Sequence, residues 1–340
     1  MPIASKLSHE LQVPGIDPGV VMKLRAKDQM RLAMREAGLN VPRFFLIRNA
    51  SELSSTLQEL GVPAVCKPID AAGSVHVKKV NDLPEAEVAA NRILEGRDVL
   101  WGHRLANAML LEEYIAGKEY SVEGVVQIDQ IQFFSVTEKF VADEREFIEI
   151  GHVVNVPIDS CLKQKIESYL SAVIKVLGAR HCPFHAELRI TAEGQPVLME
   201  IAARLAGDRI GDLINIARDV NYYDAILAAY LGQHFEMPVL GNSYAGIRFF
   251  YRPEIESYSK IKGLEELGRL PIVELHFYYE SDQPIPAFPK PLGRLGHVVM
   301  KNDNYEALIK SLQQADEMLE FETTLPKRSV VFQEDQIREA

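Results

Sequence analysis

The chain has 340 residues, of which 47% are hydrophobic and 25% charged, a composition typical of a globular protein with room for more than one core. Its net charge is −11 and it contains no block rich in lysine and arginine, which argues against nucleic acid or an anionic membrane as a general partner. The start lacks a signal-peptide core, the most apolar helical stretch (225–231) is too short to span a bilayer, and three widely spaced cysteines fit a reducing compartment. We therefore expect a cytoplasmic protein.

Helix and strand patterns alternate through the first third of the chain. Pro18 suits the first turn of a helix, Gly38 follows the end of a second, and Ser51 fits the N-cap of a third. We predict helices at 18–24, 28–37, 52–60 and 83–94, and strands at 43–47, 63–68, 75–80 and 109–115. These elements predict linker helices over residues 1–42 and a small α+β lobe over residues 43–115.

The rest of the chain predicts two further units. We predict hairpins at 119–126 with 131–139 and at 185–190 with 196–201, and helices at 161–177, 209–217 and 222–231. From residue 238 the pattern changes to strands at 245–251, 272–279 and 296–301, with helices at 263–267 and 305–319. We expect a large lobe over 116–237 and a separate, smaller α+β lobe over 238–340, with a peripheral tail after residue 323.

The second of these hairpins carries two glutamates. A turn centred on Glu193-Gly194 pairs Glu187 with Glu200, and two carboxylates directly opposite each other on neighbouring strands repel. A divalent cation such as Mg²⁺ between them would turn that repulsion into coordination. A hairpin shifted by one residue would instead place one glutamate in water, and these residues alone favour neither arrangement.

The residues after the hairpin favour the metal interpretation. Arg204 comes four residues after Glu200, and Ala206-Gly207-Asp208 is typical of a turn that opens a helix. A carboxylate pair followed by a single arginine and a helix N-terminus predicts a site for a reacting anion.

A lysine and a small-residue turn are the next candidates. Lys67 ends an apolar strand, and the turn over residues 69–75 contains Gly73 and Ser74. Such a lysine can hold a phosphate, which backbone N–H groups near the glycine can cover. Taken alone, the stretch fits a surface lysine beside an ordinary turn better.

The run Glu112-Glu113-Tyr114-Ile115 ends another apolar strand, two residues before Gly117. Backbone N–H and C=O groups left free at such a break can bind the edge of an adenine, and Glu119 can accept hydrogen bonds from ribose hydroxyls. A charged strand end without a ligand is the alternative.

In this order along the chain, the motifs resemble the ATP-grasp superfamily, specifically its carboxylate–amine ligases of the L-amino acid ligase type. The resemblance runs from about residue 11 to at least residue 232, and residues 245–323 resemble the C-terminal extension of the dipeptide-forming ligases. It implies an ATP-grasp fold of the α+β / α/β class, in which two α+β lobes clasp ATP and a C-terminal α+β lobe follows. Such ligases usually carry an α/β domain before position 11, and from this resemblance we expect only the last piece of that domain in the given sequence.

The resemblance also implies a role for each candidate residue. It implies ATP contacts at Lys27, Lys67, Ser74, Glu112, Glu113, Ile115 and Glu119, ligands for Mg²⁺ (or Mn²⁺) at Glu187 and Glu200, and catalytic roles for Lys67 and Arg204. It implies further that Ser74 belongs to a mobile phosphate-covering loop at 70–74 and that Arg204 steadies the acyl phosphate. His152 and Arg209 are weaker candidates for a carboxylate pocket.

Three features depart from the family pattern. Ala202 stands where many members have Asn, so that the metal would rest on two carboxylates and the phosphates, and the phosphate loop has one glycine where several are usual. The N-terminal domain is the third departure. Because the cleft would be open on that side, we expect a homodimer with residues before Arg43 near the contact. A partner protein and truncation of a longer native chain are the alternatives.

The resulting hypothesis is a ligase that joins a small-molecule carboxylate to an amine through an acyl phosphate, releasing ADP and phosphate. The alternatives are another ATP-grasp enzyme, such as a carboxylase or a purine-pathway ligase, and a non-catalytic ATP-binding module. No biotin-type lysine motif is present, which disfavours the biotin branch.

Overall fold

Two large antiparallel sheets form the framework of the molecule. The computed structural model describes residues 1–100, 102–127, 130–235, 241, 243–286 and 293–323. Within these ranges the α-helices are α1 (Pro2–Glu10), α2 (Lys27–Glu36), α3 (Leu53–Leu60), α4 (Leu83–Leu94), α5 (Ser160–Leu177), α6 (Ile210–Arg218), α7 (Tyr222–Tyr230), α8 (Leu264–Leu267) and α9 (Tyr305–Met318). The strands are β1 (Phe44–Ile47), β2 (Ala64–Pro68), β3 (Lys78–Val80), β4 (Val99–Leu100), β5 (His103–Arg104), β6 (Met109–Glu113), β7 (Lys118–Gln127), β8 (Gln130–Asp143), β9 (Ile148–Val154), β10 (Cys182–Ile190), β11 (Pro196–Ala202), β12 (Tyr244–Tyr251), β13 (Lys260–Lys262), β14 (Ile272–Phe277), β15 (Arg294–Asn302) and β16 (Glu320–Glu322).

The smaller of the two sheets has the strand order β1-β6-β2-β3, and all of its pairings are antiparallel. Its apolar side chains pack against α3 and α4 in one core, which includes Ile47, Leu57 and Ala90. The sheet and its two helices occupy the residues predicted for the small lobe. The boundaries of all four predicted units stay a prediction.

The larger sheet has the order β11-β10-β7-β8-β9-β12-β15-β14. Because side chains alternate between the faces of a strand, its two sides carry two cores. On β12, Phe250 packs into the core that contains α5, and Phe249 packs into the core that contains α6 and α7. Three strands after residue 243, β12, β14 and β15, extend this sheet, so most of the described part of the predicted C-terminal lobe shares its sheet with the large lobe, whereas β13 and β16 pair with each other in a separate sheet. Its predicted first residue, 238, and its predicted tail lie outside the described residues.

Several predicted elements differ in the structure. Residues 18–25 form successive turns rather than a helix, as the Gly19-Val20-Val21 run has low helix propensity. β3 begins at Lys78 rather than at 75, because residues 73–76 form a turn in which Ser74 and His76 have positive φ. Ser51 does not cap α3, since it lies inside a 3₁₀ turn at Ala50–Glu52 that precedes the helix, whereas Gly61 ends that helix as predicted.

Several elements of the structure had no sequence prediction. They include α1 at the start of the chain, β9, which pairs with both β8 and β12, and the short strands β4, β5, β13 and β16. Across the described ranges, no helix combines the length and the apolar character needed to cross a bilayer.

Candidate active site

A cavity of about 590 Å³ lies between the two large sheets. The residues to which the resemblance assigns a role in ATP binding, metal binding or catalysis all contribute to its lining: Lys27, Lys67, Ser74, Glu112, Glu113, Ile115, Glu119, Glu187, Glu200 and Arg204. These residues are spread over 178 positions of the chain, and the fold brings them to one place. The role of each of them stays a prediction.

Lys67, at the end of β2, belongs to a buried charge cluster. Its ammonium lies 2.5 Å from Oε2 of Glu112, and Arg31 donates to both oxygens of the same carboxylate at 2.7 and 3.2 Å. Burial lowers the pKa of Lys67 to about 8, although Glu112 opposes the shift. Burial would raise the pKa of Glu112, but Arg31 and Lys67 together lower it to about 2. The Glu112 side chain thus holds Lys67, and any adenine contact here falls to the backbone.

Lys27 begins α2 and joins the two lobes. Its ammonium donates to the carbonyl of Ala71 in the turn after β2, at 2.7 Å, and lies 2.9 Å from Oε2 of Glu200. The turn is held on its other side by Asp70, which accepts hydrogen bonds from His103 at 2.7 Å and from the N–H of Ala106. The ammonium group therefore lies between the predicted phosphate loop and a predicted metal ligand.

The end of β6 forms the predicted adenine-binding segment. Glu113 accepts from Arg43, so its carboxylate faces away from the centre of the cavity toward an exposed ion pair. Ile115 lies past the last ladder pair of β6, and in the described part of the chain no group accepts a hydrogen bond from its N–H. Its carbonyl accepts from Arg189, which also donates to Glu119 at 3.1 Å. This segment offers one free donor at the cavity wall.

Glu187 and Glu200 are directly opposite each other, as predicted. The reason differs from the prediction. Near the turn the register is shifted by one residue, with Ile190 opposite Pro196 and Leu188 opposite Leu198. A β-bulge between Glu187 and Leu188 of β10, where β11 carries one extra residue, returns the pair to the predicted register. The register that a turn centred on Glu193-Gly194 predicts is therefore wrong by one residue near the turn, although the predicted pairing of the two glutamates is correct.

Lys139, on β8, is a cavity residue that the sequence analysis missed. Its ammonium lies 3.0 Å from Glu119, 2.5 Å from Glu149 and 3.0 Å from Glu187. Burial would lower the pKa of Lys139, but Glu149, Glu187 and Glu119 raise it well above the usual value. A lysine among alternating apolar residues in a predicted strand was the available signal.

A buried glutamate supports the predicted metal ligand through a histidine. Glu123 accepts from Ser121 at 2.6 Å, from Thr137 at 2.7 Å and from Nδ1 of His185 at 2.9 Å. On its other side, Nε2 of His185 lies 3.2 Å from Glu187. Burial would lower the pKa of His185, but Glu123 and Glu187 raise it to about 9. The imidazole is therefore held between two carboxylates.

A second acidic group lies beyond the glutamate pair. Asp208 accepts two hydrogen bonds from Arg294, at 2.7 and 2.9 Å, and lies 3.0 Å from His152, which is 3.5 Å from Glu149. His152 lines the cavity, and its role in a carboxylate pocket stays a prediction. Arg209 does not line it, because its guanidinium binds Asp212 and Glu274 on the outer side.

The carboxylates of this cavity suit a hard divalent cation. Glu187 and Glu200 share one face of the hairpin, and both side chains are about one quarter exposed toward the cavity. Oxygen ligands of this kind are those that Mg²⁺ and Mn²⁺ prefer. Ligand atoms of Glu149, His152 and Asp208 also lie within 4.8 Å of one another. Basic side chains contact the acids of both groups: Lys139 and Arg294 contact Glu149 and Asp208, and Lys139 and Lys27 contact Glu187 and Glu200.

Comparison with known proteins identifies the fold. Residues 60–212 match the ATP-grasp domain family. The L-amino acid ligase of Bacillus licheniformis superposes with a TM-score of 0.82 at 21% identity, covering 96% of this chain and 78% of that one. A carboxyaminoimidazole ribonucleotide synthase complexed with ATP, from Aspergillus clavatus, superposes with a TM-score of 0.69 at 15% identity, covering 93% and 78%. The predicted ATP-grasp fold is confirmed.

Relatives found by sequence are longer than this chain. An uncharacterized protein of Sinorhizobium fredii is 23% identical over 93% of this chain and 65% of its own length. The alanine–anticapsin ligase of Bacillus subtilis is 26% identical over 60% of this chain and 46% of its own length. The chain thus spans about half to two thirds of the length of these relatives.

Proposed function

We propose that this chain, which carries an ATP-grasp domain, is an ATP-dependent ligase that joins a small-molecule carboxylate to an amine through an acyl phosphate. The observation that supports this most is the meeting of two lysines from the small-lobe side with two opposed glutamates of the large sheet in one cavity. That arrangement sets cationic groups beside a carboxylate pair, as the transfer of a phosphoryl group requires.

ATP would lie between the sheets, with its adenine against the N–H of Ile115 and its ribose near Glu119. Lys27 and Lys67 would contact the phosphates, and the turn around Ser74 would cover them. Both lysines are almost fully buried and already held by acidic groups, so they need little reorganisation to bind a phosphate.

Glu187 and Glu200 would hold Mg²⁺ or Mn²⁺. When bound there, the ion supplies positive charge to the phosphate oxygens of ATP. Burial would raise the pKa of Glu187, but the positive charges of Lys139 and His185 lower it well below the usual value. These two residues therefore keep Glu187 ionised. The protein therefore presents this ligand in the form that a cation needs.

In the first step an oxygen of the substrate carboxylate forms a bond to the γ-phosphorus of ATP, and the bond to the bridging oxygen breaks to release ADP. In the second, the amine nitrogen attacks the acyl carbon, phosphate leaves with the bonding electrons, and the amine loses a proton. Arg204 reaches the cavity from an exposed position after β11, where its guanidinium can face the acyl oxygen. The two lobes keep water away from the acyl phosphate.

Pairs of amino acids and related acids, incubated with ATP and Mg²⁺, test this proposal. We expect ADP and phosphate to be released in step with a new amide, identified by mass spectrometry. A carboxylated product without an amide would favour a carboxylase or purine-pathway reaction. ATP binding without ADP release on any carboxylate would favour a non-catalytic module, for which Ala202 is the supporting feature. The homodimer stays a prediction, which sedimentation equilibrium would test.

A further inference from the structure

Arg31 is a fully buried arginine that contacts both lobes. It lies one turn after Lys27 on α2 and is 0% exposed. Its Nε and Nη2 donate to the Glu112 carboxylate of the small sheet, and Nη2 also donates to the carbonyl of Met199 on β11 at 3.0 Å. One guanidinium thus joins the residue that holds Lys67 to the strand that carries Glu200.

The carbonyl of Met199 lies on the outer edge of the larger sheet. β11 is an edge strand, so its outward N–H and C=O groups lack strand partners. Side chains bind them instead: Tyr169 accepts from the N–H of Leu198 at 3.0 Å, Asn40 donates to the carbonyl of Pro196 at 3.3 Å, and Arg31 binds at Met199. Of these three side chains, that of Arg31 carries a charge.

Met199 is also the extra residue of the bulge, since Leu198 pairs with Leu188 and Glu200 pairs with Glu187. If the register near the turn continued without a bulge, Glu187 would face Met199, and Glu200 would face Ala186. Neighbouring residues of a strand point to opposite sides of a sheet, so the two carboxylates would then lie on opposite faces. The bulge is what brings both into the cavity.

We propose that Arg31 is a positioning residue that holds the Met199 bulge and thereby keeps Glu200 on the same face as Glu187. The inference rests on the proposed function, in which this pair receives the cation that accompanies ATP. The same guanidinium fixes Glu112, so that the phosphate lysine and the carboxylate pair keep one relative position.

The test is Arg31→Lys, with Arg35→Lys as the matched control. A lysine at position 31 retains the charge that Glu112 needs but lacks the planar guanidinium that binds both oxygens of that carboxylate and also the Met199 carbonyl. Arg35 lies one turn further along α2, stacks on Phe44 and does not line the cavity. Calorimetry would give the affinity for a non-hydrolysable ATP analogue with and without Mn²⁺.

We expect Arg31→Lys to keep the metal-free affinity within about threefold and to lose about tenfold or more of the affinity gained by adding Mn²⁺, the usual size of an effect exerted through a metal ligand. Arg35→Lys should retain the full gain. If Arg31→Lys retains it too, the proposal is overturned.

Deletion of Met199 provides an independent check, including the case where Arg31→Lys is too unstable to measure. The deletion lets Glu200 follow Leu198 directly and pair with Glu187 without a bulge. In the otherwise unchanged protein, we expect the deletion to preserve the gain in ATP-analogue affinity on adding Mn²⁺. In the Arg31→Lys variant, we expect it to restore both folding and that gain. A deletion that restores neither would contradict the proposal.

The outcomes also separate this inference from the proposed function. A parent protein that gains affinity with Mn²⁺ but forms no amide from any acid and amine would refute only the ligase activity. A parent protein that forms product normally, alongside an Arg31→Lys variant with an unchanged Mn²⁺ gain, would refute only the role of Arg31.

Discussion

The ammonium of Lys139 lies 3.0 Å from Oε1 of Glu187, and the lysine side chain is only 1% exposed. Glu119 and Glu149 lie against the same ammonium. One buried cation therefore neutralises the predicted ribose ligand, a predicted metal ligand and a third acid near the far end of the cavity. Removal of that cation leaves three acids close together without their common counter-charge.

Lys139→Met should lower the free energy of unfolding by about 3–5 kcal/mol, the usual cost of removing one partner of a buried ion pair. Because the freed carboxylates attract a divalent cation, Mn²⁺ should raise the melting temperature of this variant more than that of the parent. Thermal unfolding with and without Mn²⁺ measures both effects. Lys118→Met is the control, since Lys118 forms an exposed pair with Glu138 and its loss should cost below about 1 kcal/mol. Equal stability of the two variants would show that Lys139 is not the shared counter-ion.

Nucleotide binding should weaken at alkaline pH because of Lys67. Its pKa is lowered to about 8, so the ammonium is present below that pH and is lost as pH rises through it. If the charge binds phosphate, the affinity for ADP should fall by up to about tenfold per pH unit above pH 8. Lys67→Arg stays charged in this range, and its affinity should vary less between pH 7 and 9. Calorimetric titrations with ADP at pH 7 and pH 9 would measure these affinities. If the affinity of parent and variant changes equally with pH, Lys67 is not the titrating group.

Acid should destabilise the fold partly through Glu112. Its pKa is about 2 in the folded protein against an ordinary value of 4.5, so the carboxylate stabilises the fold above about pH 4.5. That stabilisation, up to about 3 kcal/mol, is lost as pH falls from 4.5 toward 2. Urea unfolding of the parent and of Glu112→Gln at pH 5 and pH 3 measures the contribution, which the glutamine variant lacks. If Glu112→Gln loses as much stability as the parent between pH 5 and pH 3, the loss comes from other acids.

The sequence predicted most of the secondary structure and many of the residues that meet in the cavity. Amphipathic helices such as α5 and α9 and alternating strands such as β12 are local patterns, and the observed bounds differ from the predictions by one or two residues. The pairing of Glu187 with Glu200 was also predicted. That pairing depends on a bulge at Met199, which no turn rule contains and which a distant residue, Arg31, contacts.

The residues that the sequence did not predict are those whose role depends on distant neighbours. Lys139 and Arg189 were missed, because an isolated cation on a strand has no partner until the sheet is assembled. Glu149 was missed because β9 itself was missed, and a strand of seven residues between two longer patterns carries a weak signal. Glu112 was assigned to the adenine segment, whereas its side chain is bound by Lys67 and Arg31.

Glu200→Gln should stop ADP formation and leave the fold intact. Its partner Glu187 is held by Lys139 and His185, so a change there would also disturb a buried charge network. Glu200 instead contacts Lys27 and is one quarter exposed, and a glutamine of the same shape can still accept from that lysine. The substitution thus removes a negative charge where the cation would bind, at little expected cost in stability.

We expect turnover by Glu200→Gln to fall by about a hundredfold or more, as is common when a group that stabilises transition-state charge is removed. The far-UV circular dichroism and melting temperature should match those of the parent. Glu193→Gln, at the exposed tip of the same hairpin, is the control and should turn over normally. Because the two variants make the same chemical change in one hairpin, a selective loss in Glu200→Gln would assign the effect to the cavity. Undiminished ADP formation in Glu200→Gln would remove this glutamate from the proposed metal site.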